Sequence, residues 1–146
     1  MKTIVISLAV TDVAFIEPGL LVVTGDEGTV TCHKTCDLSR VWAVSGGEMV
    51  NCVAAWPRQR LVTGTDAGQL EVRDRDTGAV EASLRGHDRG CGISGLAVGH
   101  LGLWSACFDC KLRLWAEAGD CLCVLVGHTN PIRLTDTDLT QSDLYS

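Results

Sequence analysis

The sequence is short of several features that would assign it quickly. It contains only three prolines against sixteen glycines, which suggests many short elements joined by tight turns rather than long rigid connections. No apolar run approaches the roughly 18 residues of a membrane-spanning helix, so no membrane contact of that kind is expected. Positive charge is in deficit, with 12 Lys and Arg against 18 Asp and Glu for a net charge of −6. That balance removes the electrostatic reason to expect nucleic acid or an anionic lipid surface as a partner. No window places apolar residues at helical spacing between caps. No export signal is expected either: the apolar start MKTIVISLAV stops at Thr11-Asp12, and no small-x-small cleavage site follows. The expected compartment is the cytoplasm, with the nucleus as the alternative.

What is present is a chain of 146 residues, 46% hydrophobic, long enough to bury a sizeable core. Three stretches in it superpose: LLVVTGDEGTVTCHK (20–34), RLVTGTDAGQLEVRD (60–74) and GLWSACFDCKLRLWA (102–116). Each reads as an apolar strand, a turn of acidic and small residues, and an alternating strand. Taking Thr24, Thr63 and Ser105 as the equivalent strand ends makes the first copy's turn one residue shorter than the others. Val30, Leu70 and Leu112 are then equivalent, at separations of 40 and 42 residues, and a Gly-His pair recurs at Gly86-His87 and Gly127-His128. Two independent markers thus give one period, the signature of a repeat architecture. Strands are expected near 4–10, 20–24, 29–33, 50–55, 60–64, 69–73, 79–84, 93–98, 102–106, 111–115 and 121–126. The expected fold is all-β, and about four strands per forty-odd residues fits propeller blades.

On these residues the chain resembles the WD-repeat (β-transducin-like) propeller family. Its third repeat carries the pattern best, through Gly86-His87, ISGLAV (93–98) and LGLWSACFDCKLRLW (101–115). The family's Trp-Asp ending stands here as Trp115-Ala116, Arg73-Asp74 and His33-Lys34, so every copy is degenerate. The resemblance implies a single incomplete domain over 1–146, a partial, open β-propeller of four-stranded antiparallel blades. Its repeats fall at about 4–48, 49–86 and 87–127, with a partial fourth at 128–146. A closed propeller has about 4–8 blades of roughly 40–45 residues, so three and a half imply a fragment or a ring completed by self-association through exposed end blades.

The resemblance also implies a structural hydrogen-bond network of His87, Ser105, Asp109 and Trp115. The second repeat has Thr63 but Ala67 and Arg73 at the Asp and Trp positions; the first has Thr24, Glu27 and His33. Both are therefore expected to lack the full network and to be looser. A Ser-His-Asp catalytic triad is the sharper reading of the same residue types, but nothing resembles a nucleophile elbow. No enzyme activity and no cofactor are expected.

Eight cysteines include Cys107-x-x-Cys110 and Cys32-His33-x-x-Cys36, ligand types that zinc or a redox dithiol uses. They lie far apart in the repeat order, so packed thiols are the plainer reading. Cys121 and Cys123 are expected on one face of a fourth strand. The implied function is a non-catalytic scaffold for other proteins or peptides. The candidate contacts are the residues before each turn Asp position (Asp26, Asp66 and Phe108) and the loop arginines Arg85 and Arg89. The alternatives are a cysteine-based zinc-binding or redox protein, or a regulatory segment of a larger multidomain protein.

Overall fold

The computed structural model describes residues 1, 3 and 9–126. Twelve strands form three antiparallel sheets of four. The first holds β1 (Val10–Ile16), β2 (Leu20–Gly25), β3 (Val30–Lys34) and β4 (Arg40–Val44). The second holds β5 (Val50–Trp56), β6 (Arg60–Thr65), β7 (Leu70–Asp74) and β8 (Val80–Leu84). The third holds β9 (Ile93–Gly99), β10 (Gly102–Cys107), β11 (Lys111–Trp115) and β12 (Cys121–Val126). Each sheet is a simple meander, and β1, β5 and β9 are its inner strands, lying beside one another from blade to blade. No helix occurs among the described residues.

Two strands depart from the pattern expected along the chain. The first described strand runs from Val10 to Ile16, beyond the expected 4–10, and residues 4–8 lie outside the described residues. Thr11 and Asp12, where the apolar start stops, lie within this strand, and their side chains bond the next blade. β4, which the repeat comparison does not reveal, is RVWAV with only Trp42 buried. One buried side chain in five residues is too faint an alternation to read. The second Gly-His pair and the partial fourth repeat lie outside the described residues.

The ladders also correct the repeat alignment. Val30 pairs with Thr24, Leu70 with Gly64 and Leu112 with Ala106. The three turns are therefore equal in length, and Val23, not Thr24, is the counterpart of Thr63 and Ser105. At the matching turn position the backbone is left-handed in all three copies, at Gly28 (φ 68°), Gly68 (φ 87°) and Cys110 (φ 64°).

Packing between sheets makes the core. Ile16, Val22, Val30, Cys32 and Trp42 of the first blade meet Val50, Val53 and Leu61 of the second. Cys52, Trp56, Val62, Leu70, Val72 and Leu84 of the second meet Ile93, Leu103, Cys107 and Trp115 of the third. At about 25 cal/mol per Å² of apolar surface removed from water, such faces supply most of the favourable folding energy. Trp42 spans the first junction, its indole N–H donating to the Arg75 carbonyl at 2.7 Å while its ring fills the space over Gly78.

A second device ties the inner strands. Each carries a bulge near its start, at Thr11, Asn51 and Ser94. The bulged residue turns its side chain toward the next blade: the Thr11 hydroxyl donates to the Val50 carbonyl, and Asn51 Nδ2 donates to the Ile93 carbonyl at 3.0 Å. A bulge leaves a residue free of ladder pairing and re-aims its side chain; here it joins neighbouring blades. Asp12 adds a further link by accepting the Val53 N–H at 3.0 Å.

Gly64 sits at a close approach of the second and third blades. A Cβ there would stand 2.6 Å from Ile93 Cγ2 and 2.7 Å from Cys52 Sγ. We expect Gly64→Ala to destabilise the protein by about 1–3 kcal/mol, the usual cost of overpacking a filled core. Urea unfolding would measure this as a lower midpoint with an unchanged slope.

Candidate functional site

The third blade brings four sequence-separated side chains into one chain of hydrogen bonds. His87 enters from the loop between β8 and β9, Ser105 from β10, Asp109 from the β10–β11 turn and Trp115 from the end of β11. Trp115 Nε1 donates to Ser105 Oγ at 2.8 Å, and Ser105 Oγ lies 2.7 Å from His87 Nε2. His87 Nδ1 lies 2.9 Å from Asp109 Oδ2. Because an indole can only donate, one direction satisfies every group. The serine hydroxyl donates to Nε2, and Nδ1–H donates to the carboxylate.

Asp109 is the anchor of the turn. Its Oδ2 also accepts the Asp88 N–H at 3.1 Å, and its Oδ1 accepts the Lys111 N–H at 3.0 Å. One carboxylate therefore holds the incoming loop and the start of β11 together. Gly86 explains its place beside His87, since a Cβ there would come within 3.0 Å of the Trp115 ring and of Arg113 Nη1.

Burial pushes the His87 pKa below its ordinary value, against the opposing pull of Asp109. Burial alone would raise Asp109, but the bonds from His87 and from the Asp88 and Lys111 amides outweigh it and leave the carboxyl below its usual range. The pair is thus a neutral imidazole on a carboxylate.

The second blade fills the same positions with other chemistry. Arg73 stands ten residues after Thr63, as Trp115 stands ten after Ser105, and its Nε donates to Thr63 Oγ1 at 3.1 Å. Its Nη1 donates to the Gly78 carbonyl at 2.9 Å, and its Nη2 pairs with Glu71. Arg73 therefore takes over the donor role of the missing tryptophan, a substitution that the shared spacing could have revealed. With Ala67 at the Asp position, the chain of bonds stops there. In the first blade His33 turns away from Val23 to the Leu38 carbonyl and the Thr31 hydroxyl, at 3.2 and 3.1 Å. Thr24 bonds Thr11 instead, with 3.0 Å between hydroxyl oxygens.

The cysteines are all free thiols. Cys32 and Cys107 belong to two different core clusters, so the structure does not bring the two cysteine motifs together. Cys110 occupies the left-handed turn position just before β11. Cys121 and Cys123 do not share a face, because a ladder irregularity falls between them. Cys123 packs against Leu112 and Leu114, while Arg113 Nη1 reaches Cys121 Sγ at 3.7 Å. His87, Cys107 and Asp109 do offer ligand atoms within 4.8 Å of one another. Each is already engaged, Cys107 donating to the Cys91 carbonyl at 3.1 Å, and burial pushes its thiol up to about 12.

The candidate contact residues lie at the same end of the blades. Phe108 is 41% exposed at the tip of the β10–β11 turn, with its N–H held by the Gly92 carbonyl at 2.9 Å. Asp66, at the matching position of the second blade, is exposed and accepts from Asn51 at 3.2 Å. Asp26, the first blade's counterpart, is half-buried, and its Oδ1 has no hydrogen-bond partner among the described residues. Arg85 and Arg89 are exposed on the loop that carries His87.

Four-stranded meanders arranged around adjacent inner strands, with a hydrogen-bonded His-Ser-Asp-Trp turn in the third, define an open β-propeller of the WD type. Residues 78–116 match the family model described as WD domain, G-beta repeat. The chain is similar to the crystal structure of the RRP9 WD40 repeats, with a TM-score of 0.77 at 15% identity over 86% of this chain. It is likewise similar to the WD40 β-propeller domain of Doa1, with a TM-score of 0.73 at 19% identity over 86% of this chain. It spans 41% and 43% of those two chains. No curated protein matches it. The chain thus carries a WD repeat at 78–116 and has the WD40 propeller fold.

Both pKa shifts act in the same direction on stability. His87 is held neutral in the fold, whereas the unfolded chain takes up a proton as pH falls below about 6.5, so stability declines there. Asp109, depressed in the fold, adds a second loss as pH falls below about 3.8. Urea midpoints across pH should fall on acidification, and His87→Gln should flatten the step near 6.5. At the turn, Cys110→Gly should raise stability by about 1 kcal/mol, because it relieves a left-handed residue where the other two blades have glycine. A raised melting temperature checks this.

Proposed function

We propose that this chain acts as a non-catalytic scaffold that binds another protein or a peptide through the loop end of its blades. WD40 propeller domains typically bind other proteins and are generally non-catalytic. The observation that carries the reading for this chain is Phe108. A large aromatic ring stands part-exposed at a turn tip whose backbone is fixed from below by Asp109 and Gly92. A rigid aromatic of this kind loses little entropy on binding and is a common hot-spot anchor. Arg85 and Arg89, exposed on the loop that carries His87, favour an acidic partner segment at that end of the blades.

Several finer assignments belong to this reading. A reducing compartment, cytoplasm or nucleus, is supported by eight cysteines that are all free. Among the described residues no helix is long and apolar enough to cross a membrane. The net charge of −6 argues against nucleic acid as the partner. Because the chain spans 41% and 43% of the two propellers it matches, a role as the regulatory segment of a larger protein is compatible with scaffolding. Association through the end blades fits the exposed Val13 and Phe15 on the outward side of β1.

The test compares proteins captured from a cell extract by the wild type, by Phe108→Ser and by a charge-reversed Arg85→Glu/Arg89→Glu variant. Val80→Ser, a change on a remote outer strand, serves as control. A partner retained by the control and lost by both loop variants, with unchanged circular dichroism, is the expected result. Capture indifferent to all of these changes would refute the loop-end site.

A further inference from the structure

The loop between β8 and β9 has little packing of its own. Ladder pairing stops at Leu84 and resumes at Ile93. From Arg85 to Cys91 the one buried side chain is His87; Arg85, Asp88 and Arg89 are exposed, and Cys91 is half-buried. The loop is nevertheless clamped between two turns. The Gly90 N–H donates to the Ala67 carbonyl of the second blade's turn at 3.0 Å. Beside it, a Cβ on Gly68 would stand 2.6 and 2.7 Å from the Asp88 and Cys91 carbonyl oxygens. On the other side, His87 and the Asp88 N–H both bond Asp109, and Asp88 lies 3.6 Å from Lys111 Nζ. The end of the loop also holds the Phe108 turn, because the Gly92 carbonyl accepts the Phe108 N–H.

We propose that this loop is an acid-released clasp: protonation of His87 frees residues 85–92 as a unit while the three sheets stay folded. The donors and acceptors give the reason. Nε2 accepts from the Ser105 hydroxyl, whose oxygen accepts from Trp115. A protonated Nε2 becomes a second donor aimed at that oxygen, and the serine hydrogen then has no other acceptor among the described residues. Burial opposes the imidazolium most, and Arg113 of β11 adds to it, against Asp109 of the turn and Asp88 of the loop. Lys111 of β11 is paired with Asp88, and the Cys107 thiol of β10 is kept neutral by burial. The release is local because opening the loop breaks polar bonds but withdraws a single buried side chain, the mark of a cheap sub-global opening. It carries Arg85 and Arg89 away and unties the Phe108 turn. It takes place whether or not a partner binds that end, so it does not rest on the scaffold reading.

Amide hydrogen exchange of the 146-residue protein, followed by NMR and corrected for the intrinsic effect of pH, tests this. Between about pH 7.5 and 5.5, protection of the Asp88, Gly90 and Phe108 amides should fall by up to about tenfold, because the open loop takes up a proton near 6.5 and the closed loop resists it. Low urea should leave these amides unchanged, whereas the β6 and β10 ladder amides should exchange more slowly and follow urea as global unfolding does. His87→Gln keeps a donor and an acceptor but takes up no proton, so it should remove the pH dependence of the loop. Loop amides that hold their protection through this range overturn the proposal. So do loop amides that exchange together with the ladder amides and share their urea response, which would make the opening global. A folded His87→Gln protein with the pH dependence intact overturns it as well. If that variant fails to fold by circular dichroism, the wild-type pH and urea series decides by itself.

Discussion

Every part of this structure depends on the fact that a four-stranded sheet of this composition has two apolar faces and cannot cover either alone. Val22, Val30 and Cys32 are fully buried only because Val53 and Leu61 of the next blade lie over them, and Leu70 because Ile93 and Leu103 do. The stacking of blades is thus the folding reaction itself, and each sheet is stable to the degree that its neighbour is in place. The bulged residues Thr11 and Asn51 add direction to that apolar contact. Their bonds to Val50 and Ile93 set which part of each inner strand faces the next.

The third-blade network solves a different problem. The loop from β8 to β9 must cross the open end of the blade, where no ladder can hold its backbone. Asp109 accepts from the Asp88 amide, from His87 and from Lys111, so one buried carboxylate fastens loop and turn at once. Buried polar groups are costly when half-satisfied, and here the serine, imidazole, indole and carboxylate all find partners. The second blade reaches part of the same end with Arg73, whose guanidinium bonds Thr63, Gly78 and Glu71 in place of an indole. Different side chains can fill this position because what the strand requires is a donor aimed at the hydroxyl ten residues earlier.

Much of the architecture was legible in the linear chain, because repeats preserve their spacing when their letters drift. The forty-residue period and the strand pairs around each turn follow from residue types at fixed separations, and the resemblance to WD repeats implied the four members of the third-blade network. The misreadings have local physical causes. Thr24 looked like the partner of Thr63 because both are threonines near a strand end, yet the ladder aligns Val23 there. Cys121 and Cys123 seemed to share a face because alternation was assumed unbroken, and a bulge reversed it. β4 escaped notice because a single buried tryptophan gives no period.

By itself, then, the sequence determined the class of fold and the order of its blades, while the residue set at the third turn came from the family resemblance. These depend on chain-local quantities: alternation, turn chemistry and spacing. Only the tertiary structure decided which polar side chains reach across to a neighbouring blade, and that Arg73 stands in for a tryptophan. Those facts depend on distances between residues 10 to 42 positions apart in sequence, and such distances exist only once the blades have stacked.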